Sequence, residues 1–150
     1  MGPESKAKYL SILDQEITAG DKSLGSIEHA RNTADSPMTS RYDTMREIYA
    51  QEANVKREQL GRVRGFRDFV ATAQPQQRIV EGAEFTLELW DEGDRLENVI
   101  FSPDSVKVPG IQVITPQSPI GQAIAGLTTG DTFTYQVHTE LMAGIVKKVE

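Results

Sequence analysis

Side chains that commonly do chemistry in proteins are scarce in this sequence. It has no cysteine, which excludes disulfides, thiolate nucleophiles and cysteine-ligated zinc or iron–sulfur centres. His29 and His138 are its two histidines, and they are too few and too far apart for a typical histidine metal site. The patterns of serine hydrolases, phosphate-binding P-loops and HExxH metalloproteases are missing as well. The remaining candidates for chemistry are carboxylates and basic side chains.

Several of these candidates lie in or beside a polar segment, residues 32–40. Asp35 stands inside it, among asparagine, serine, threonine and proline residues that favour a turn and the start of a helix. A carboxylate there either caps the turn or projects from it, and both interpretations stay open. Arg31 and Arg46 stand on the two sides of the segment, where a solvated helix face is the plain structural interpretation. A second basic group is expected to be a solvated helix face with acidic partners: Lys56, Arg57, Arg62, Arg64 and Arg67.

Two long helices are predicted to position this segment. A first apolar stripe repeats at helical spacing and comprises Leu10, Leu13, Ile17, Leu24 and Ile27. A second stripe comprises Tyr42, Met45, Tyr49, Ala53, Leu60, Val63, Phe66 and Val70. We expect the first helix to be thin or bent near Gly20 and the second to stop at Pro75. Because a polar break separates the stripes, they favour an antiparallel helical hairpin with coiled-coil packing over residues 1–75, with a dimerising coiled coil as the alternative.

The second half, residues 76–150, is predicted to form short strands and one short helix. Apolar residues alternate in 84–90 and again in 132–137, which is typical of half-buried strands. Ser118 and Pro119 favour a helix start, as N-cap and first helical residue. The expected fold class is α+β, with an antiparallel sheet wrapped on the short helix. Five aromatic residues either fill its core or line a ligand pocket: Phe85, Trp90, Phe101, Phe133 and Tyr135.

Composition and charge agree with two units. The chain has 150 residues, of which 38% are hydrophobic and 25% charged, so it can bury a sizeable core. Residues 1–75 balance eleven basic against eleven acidic side chains, whereas residues 76–150 carry five basic and eleven acidic ones. The net charge of −6 argues against a general nucleic-acid binder. The first residues lack a long apolar stretch, so we expect no signal peptide or membrane anchor and a cytoplasmic location.

One motif in the second half resembles a known family. The segment Ser118–Asp131, SPIGQAIAGLTTGD, is similar to the SPIGxALxGxxxGD signature of the GreA/GreB transcription factor C-terminal domain. The first half resembles the hairpin tip of the same family at matching spacing, through Ala30-Arg31, Asp35, Tyr42 and Arg46-Glu47. Together the two matches cover most of the chain in the family's order, and residues 51–115 match only in pattern.

This resemblance implies a fold and a partner. In the GreA/GreB family the C-terminal domain is FKBP-like and docks on RNA polymerase near the mouth of its secondary channel. The docking residues implied here are Ser118, Pro119, Ile120, Gly121, Gly126, Gly130 and Asp131. Arg31 and Arg46 fall at basic positions that lie beside the RNA 3′ end in the family. The resemblance further implies DNA binding, with no intrinsic cofactor or metal, no membrane and no small-molecule substrate.

The tip sequence departs from the family pattern. Gre factors bring two acids into the polymerase active site, where they help to hold a second Mg²⁺ and activate a water that cleaves backtracked RNA. Asp35 falls on the first acidic position, whereas Met38 replaces the second. Mg²⁺ prefers hard oxygen ligands, and a thioether is soft. We therefore expect a non-enzymatic regulator that inserts its tip into the secondary channel, shares the polymerase Mg²⁺ only through Asp35, and stimulates cleavage weakly or not at all.

Three alternatives accompany this interpretation. The first is a genuine Gre-type cleavage factor in which Asp35 works with a polymerase or RNA oxygen. The second is an FKBP-like isomerase or chaperone that carries a helical hairpin. The third is an adaptor for a partner other than polymerase. Fold alone does not imply isomerase activity, so the second alternative needs an open pocket.

Overall fold

The protein consists of a pair of long helices and a small sheet with a third, short helix. The structure, a computed structural model, describes residues 1–33, 39–91 and 93–150, without the side chains of residues 33 and 39–43. The helices are α1 (Pro3–Thr33), α2 (Thr39–Thr72) and α3 (Pro119–Ile124). The strands are β1 (Glu84–Leu89), β2 (Arg95–Phe101), β3 (Gln112–Ile114), β4 (Thr132–Val137) and β5 (Glu140–Val149). The α+β class predicted from the sequence is confirmed.

The two long helices run antiparallel and pack along their apolar stripes. Ion pairs join Arg57 to Glu28, and Arg67 to Asp14, so residue numbers rise along α2 as they fall along α1. At 1.5 Å per residue, the 31 residues of α1 extend about 47 Å. α1 is one continuous helix through Gly20, the position where the sequence predicts a thin or bent segment. The Leu60 side chain packs directly against Gly20, where a Cβ would overlap it. The glycine therefore lets the two helices approach closely.

The sheet has five strands in the order β3-β2-β1-β5-β4. Three of its pairings are antiparallel, but β3 joins β2 in parallel, with Val99 opposite Gln112. The predicted all-antiparallel sheet is therefore wrong at this edge. The physical reason is the ten-residue connection, 102–111, which is long enough to bring the chain back beside the last three residues of β2, whereas an antiparallel neighbour needs only a tight turn. The FKBP-like description of this sheet stays a prediction.

Two apolar clusters cover opposite faces of this sheet. Neighbouring residues of β2 point in opposite directions, as they must in a strand. Ile100 packs with Leu13 of α1 and Val70 of α2, while Val99 packs with Ile124 of α3. The sheet is thus a middle layer between the base of the helical pair and α3. The predicted boundary near residue 75 falls between α2 and β1, and the division into units 1–75 and 76–150 stays a prediction.

Polar contacts tie the start of α1 to the sheet. The Tyr9 hydroxyl donates to the carbonyl oxygen of Asn98 at 2.9 Å, and the Ser5 hydroxyl donates to the buried Glu84 carboxylate at 2.9 Å. Asn98 has a φ of 55°, a left-handed conformation within β2 where the register with β1 shifts. Lys6 donates to the carbonyl oxygen of Ala73 at 3.0 Å, just beyond α2. These contacts fix the direction in which the helices leave the sheet.

Candidate functional site

The predicted tip acid, Asp35, lies outside the described residues, as does Met38. In the sequence they fall between Thr33, where α1 ends, and Thr39, where α2 begins. The two predicted basic residues nearest this connection are described. Arg31 is exposed in the last turn of α1, where a positive charge also favours the helix dipole. Arg46 is exposed on α2. The structure thus brings both arginines to the far end of the pair, beside the segment that contains Asp35.

The second basic group divides into two sets. Arg57, Arg64 and Arg67 form interhelical ion pairs with Glu28, Asp21 and Asp14, the last two at 2.6 Å. The acidic partners recur every seven residues along α1, which places them on one edge of the helix. For these three arginines the expected solvated face with acidic partners is confirmed. Lys56 and Arg62 instead line a cleft between the helices and the loop that precedes β3.

The signature segment folds locally as its sequence predicts. Ser118 is the N-cap of α3, and its hydroxyl accepts a hydrogen bond from the amide of Gly121 at 3.0 Å. Pro119 occupies the first turn, where a missing amide hydrogen costs nothing. The face of Ile120 and Ile124 packs on the sheet. Gly121 is buried at a close approach, because a Cβ there would overlap the carbonyl oxygen of Thr115. Cap, apolar face and glycine therefore have structural roles.

The exit from α3 is a tight, glycine-dependent loop. Gly126 and Gly130 have φ values of 80° and 91°, which favour glycine. The amide of Gly126 donates to the carbonyl oxygen of Ile79 at 2.7 Å, which joins this loop to the segment that precedes β1. The Asp131 carboxylate accepts hydrogen bonds from the amide and hydroxyl of Thr128, at 2.9 and 3.1 Å. The motif thus presents a rigid surface on which Pro119 and Asp131 are exposed.

The aromatic residues are mostly core. Phe85, Phe101 and Phe133 are buried between the sheet and α3, and Tyr135 is half-buried against them. For Phe85, Phe101 and Phe133 the structure therefore favours the core interpretation over the pocket interpretation, and the isomerase alternative stays untested. Trp90 differs, because 54% of its surface is exposed just after β1. Its position in the alternation already pointed away from Phe85, Leu87 and Leu89, so the exposure was readable from the pattern.

Sequence reasoning missed the clefts beside the loop 102–111. One, of about 480 Å³, lies between both long helices and this loop, and Glu16, Lys56, Arg62 and Lys107 are among its walls. Its neighbour, of about 580 Å³, has an apolar wall of Phe66 and Phe69. Neither cleft could be predicted from the spacing of residues in the sequence. Lys107 comes near α2 only because the loop 102–111 leads back to a β3 that runs parallel to β2. The sequence offered one signal for these clefts, the charged residue Lys107 within the long connection between β2 and β3.

Metal and membrane sites are not found in the described part of the chain. Residues 1–33, 39–91 and 93–150 contain no cluster of three or more histidine, aspartate or glutamate side chains placed to hold a metal ion. Within the same ranges, no helix combines the length and apolarity that crossing a bilayer requires.

The helical pair stands on one face of a mixed sheet, and the SPIG-type segment lies on the opposite face. The family model "Transcription elongation factor, GreA/GreB, C-term" matches residues 74–150. This chain therefore belongs to the GreA/GreB transcription elongation factor family, as its sequence motifs predicted.

Solved structures similar to this chain carry the same family names. GreA factor homolog 1 (Gfh1) of Thermus thermophilus is 18% identical over 94% of each chain, with a TM-score of 0.39. Gfh1 of Thermus aquaticus is 18% identical over 99% of this chain and 94% of that one, with a TM-score of 0.43. Prokaryotic transcription elongation factor GreA/GreB from Nitrosomonas europaea is 16% identical over 67% and 92%, with a TM-score of 0.39. No curated protein sequence matches this chain significantly.

Proposed function

We propose that this protein is an accessory factor of RNA polymerase that regulates elongation by inserting its helical tip into the secondary channel. The observation that carries the proposal is the GreA/GreB match over residues 74–150, joined to a pair of helices more than 30 residues long. The factor catalyses nothing by itself. Contact of Arg31 and Arg46 with the RNA 3′ end, association with DNA in the transcribing complex and a cytoplasmic location follow from this proposal.

Docking would use the exposed surface of the signature segment. Ser118, Ile120, Gly121, Gly126 and Gly130 shape this surface, and Pro119 and Asp131 contribute to its exposed part. Because the segment is held by its cap and by backbone hydrogen bonds, it needs little ordering when a partner binds. Rigid, exposed surfaces of this kind favour specific docking.

A binding measurement with matched variants tests the docking surface. Gln122 is exposed on α3, and Gln136 is also exposed, on β4. Gln122→Arg is expected to weaken binding to core RNA polymerase at least tenfold, since it places a bulky charge in the interface. Gln136→Arg makes the same change of charge elsewhere and is expected to change affinity less than twofold. No binding by the wild-type chain would refute the partner, and equal effects of the two variants would refute the surface.

The tip is proposed to support cleavage poorly. A second catalytic Mg²⁺ needs several hard oxygen ligands, and a two-metal site stabilises both the attacking and the leaving oxygen. Asp35 offers one carboxylate, and the Met38 thioether is a poor ligand for Mg²⁺. The factor would therefore occupy the channel and affect pausing or access to the active site more than it rescues backtracked complexes.

A cleavage assay on backtracked complexes separates this proposal from a genuine cleavage factor. Met38→Glu is expected to raise the cleavage rate at least tenfold, whereas Met38→Gln, which has the same length but no charge, should leave it near the polymerase's own rate. Strong stimulation by the wild-type sequence would refute our interpretation of the tip. No gain with Met38→Glu would show that the missing carboxylate is not what limits cleavage.

Crosslinking tests the insertion itself. A photoreactive residue at position 35 is expected to crosslink to the active centre or to the RNA 3′ end. The same residue in place of Thr18, which is exposed on α1 nearer the sheet, should not. Crosslinks from both positions to the polymerase exterior would refute insertion while leaving docking intact.

A further inference from the structure

The cleft between the helical pair and the loop 102–111 has the composition of an anion site. It has a volume of about 480 Å³, within the range of roughly 300–1,000 Å³ that small-molecule sites occupy. Lys56 and Arg62 reach it from α2, and Lys107 reaches it from the loop. We propose that this cleft binds a polyphosphate group, either free pyrophosphate or triphosphate or the phosphate tail of a nucleotide.

The basic side chains of this cleft differ from the other basic residues of α2. Arg57, Arg64 and Arg67 on the same helix are each held by an acid of α1. Among the described residues, Lys56, Arg62 and Lys107 make no ion pair. In a protein of net charge −6, three unpaired cations at one concave site concentrate positive potential where an anion gains most from it.

Other groups in the cleft restrict the kind of anion. Ser105 supplies a hydroxyl beside Lys107, and side-chain hydroxyls are common phosphate donors. Glu16 contributes a half-buried carboxylate from α1, so the phosphates would bind on the side formed by α2 and the loop. A single carboxylate ligand could be served by one arginine, whereas cations from two separate elements suit an extended anion with several charges.

Binding at this place would join parts of the fold that are distant in sequence. Lys56 and Lys107 are 51 positions apart in the chain, and the buried Val63 and Val108 pack in the core shared by the helices and this loop. A ligand that binds only the folded protein stabilises it by RT ln(1 + [L]/Kd). Occupancy would therefore raise the melting temperature of the whole chain, and the site stands apart from the predicted tip and from α3.

Calorimetric titration of the full chain with pyrophosphate, at roughly 150 mM salt to screen weak nonspecific attraction, tests the proposal. We expect saturable binding with one site per chain. Arg62→Gln and Lys107→Gln should each weaken it about tenfold, which corresponds to one lost charge-assisted hydrogen bond of about 1.4 kcal/mol. Arg64→Gln is the matched control. It removes the same charge only two residues from Arg62, but Arg64 is already paired with Asp21. It should change the affinity less than twofold. Glu16→Gln should tighten binding by removing a repulsive carboxylate.

Further ligands identify the source of the phosphates. Tighter binding of ATP or GTP than of triphosphate would assign the site to a nucleotide, and equal binding would assign it to the free anion. Absence of binding at millimolar pyrophosphate and triphosphate, or an equal loss in Arg64→Gln, would overturn the proposal. Binding of single-stranded RNA without binding of either phosphate would overturn it as well. Since these titrations need no polymerase, their failure would leave the proposed elongation role untouched.

Discussion

The two ends of the helical pair differ in how far the apolar side chains of α2 are buried. Near the sheet, Val63, Phe66 and Val70 of α2 are buried, and they pack with Leu13 of α1 and with β2. Toward the far end, Ala53 of the stripe is still buried, but Met45 of the stripe is 40% exposed, and Ile48 and Val55, which lie beside the stripe, are 48% and 54% exposed. The difference arises because the sheet supplies a third layer at one end, whereas at the other end each helix has only its partner.

This contrast indicates that the two ends of the helical pair have different roles, one in stability and the other in extension away from the sheet. Two helices that touch along a narrow seam bury little apolar area, and most helical stability in proteins comes from tertiary packing. The near end therefore holds the fold, and the far end extends from it with support from exposed interhelical ion pairs. A projecting end with weak local stability is suited to insertion into another molecule, which agrees with the proposed role of the tip.

The largest difference is expected between two identical substitutions on α2. Val70 is fully buried, and Val55 is 54% exposed. Val70→Ala should lower the free energy of unfolding by about 2 kcal/mol, because it removes two buried methyl groups. Val55→Ala should change it by less than about 0.5 kcal/mol. Urea denaturation followed by circular dichroism measures both. Equal losses would show that the far end is packed as well as the base.

Two glycines of α1 give the next largest contrast. Alanine in place of glycine favours an exposed helix by about 1 kcal/mol. A methyl group on Gly25 would meet no neighbouring side chain, so Gly25→Ala should raise stability by about 1 kcal/mol. A methyl group on Gly20 would overlap Leu60, so Gly20→Ala should be at least about 1 kcal/mol less stable than Gly25→Ala. Equal stabilisation by both would mean that the helices separate there without cost. Thermal unfolding of the two variants decides this.

Tyr9, at the base of α1, makes a pH-dependent contribution to the free energy of unfolding. Burial raises the pKa of its phenol above the ordinary value, and the nearby carboxylate of Glu84 adds to this shift. Because the folded pKa exceeds the unfolded value of about 10, the tyrosine contributes stability that is complete below about pH 10 and declines as pH rises above it. Tyr9→Phe should cost about 1 kcal/mol at neutral pH through loss of the hydrogen bond to Asn98.

The measurement is the difference in unfolding free energy between wild type and Tyr9→Phe from about pH 7 to about pH 11. That difference should shrink above about pH 10, since only the wild-type chain can lose this proton. A constant difference across the range would contradict the burial of the phenol. No difference at neutral pH would contradict the hydrogen bond that fixes α1 to β2.

The smallest effect is expected from the interhelical ion pairs. Arg64 and Asp21 are both about half exposed, so solvent screens their attraction. Arg64→Gln should cost less than about 0.5 kcal/mol at low salt, and the loss should vanish near about 1 M salt. Denaturation at the two salt concentrations measures it. A loss above about 1.5 kcal/mol would show that ion pairs, rather than the base, hold the helices together.

Much of the fold could be predicted from local sequence. Heptad-like spacing and a polar break predicted α1 and α2, and Ser118 and Pro119 predicted the start of α3. The parallel return of β3 could not be predicted, because turn residues at 102–104 fit either a tight reversal or the first part of a longer loop. Likewise, spacing alone did not distinguish the buried Val70 from residues such as Met45 in the same stripe.

Local patterns were enough to predict the family, the helical pair and the capped α3, since caps, glycines and helical periodicity act through neighbours in the chain. Three features instead came from long-range packing: which part of the apolar stripe is covered, how Tyr9 and Asn98 fix the helices to the sheet, and how Lys107 comes to line one cleft with Lys56 and Arg62. These features depend on contacts between residues some 45 to 90 positions apart in the chain. Such contacts are set by the packing of whole layers, which no local pattern encodes.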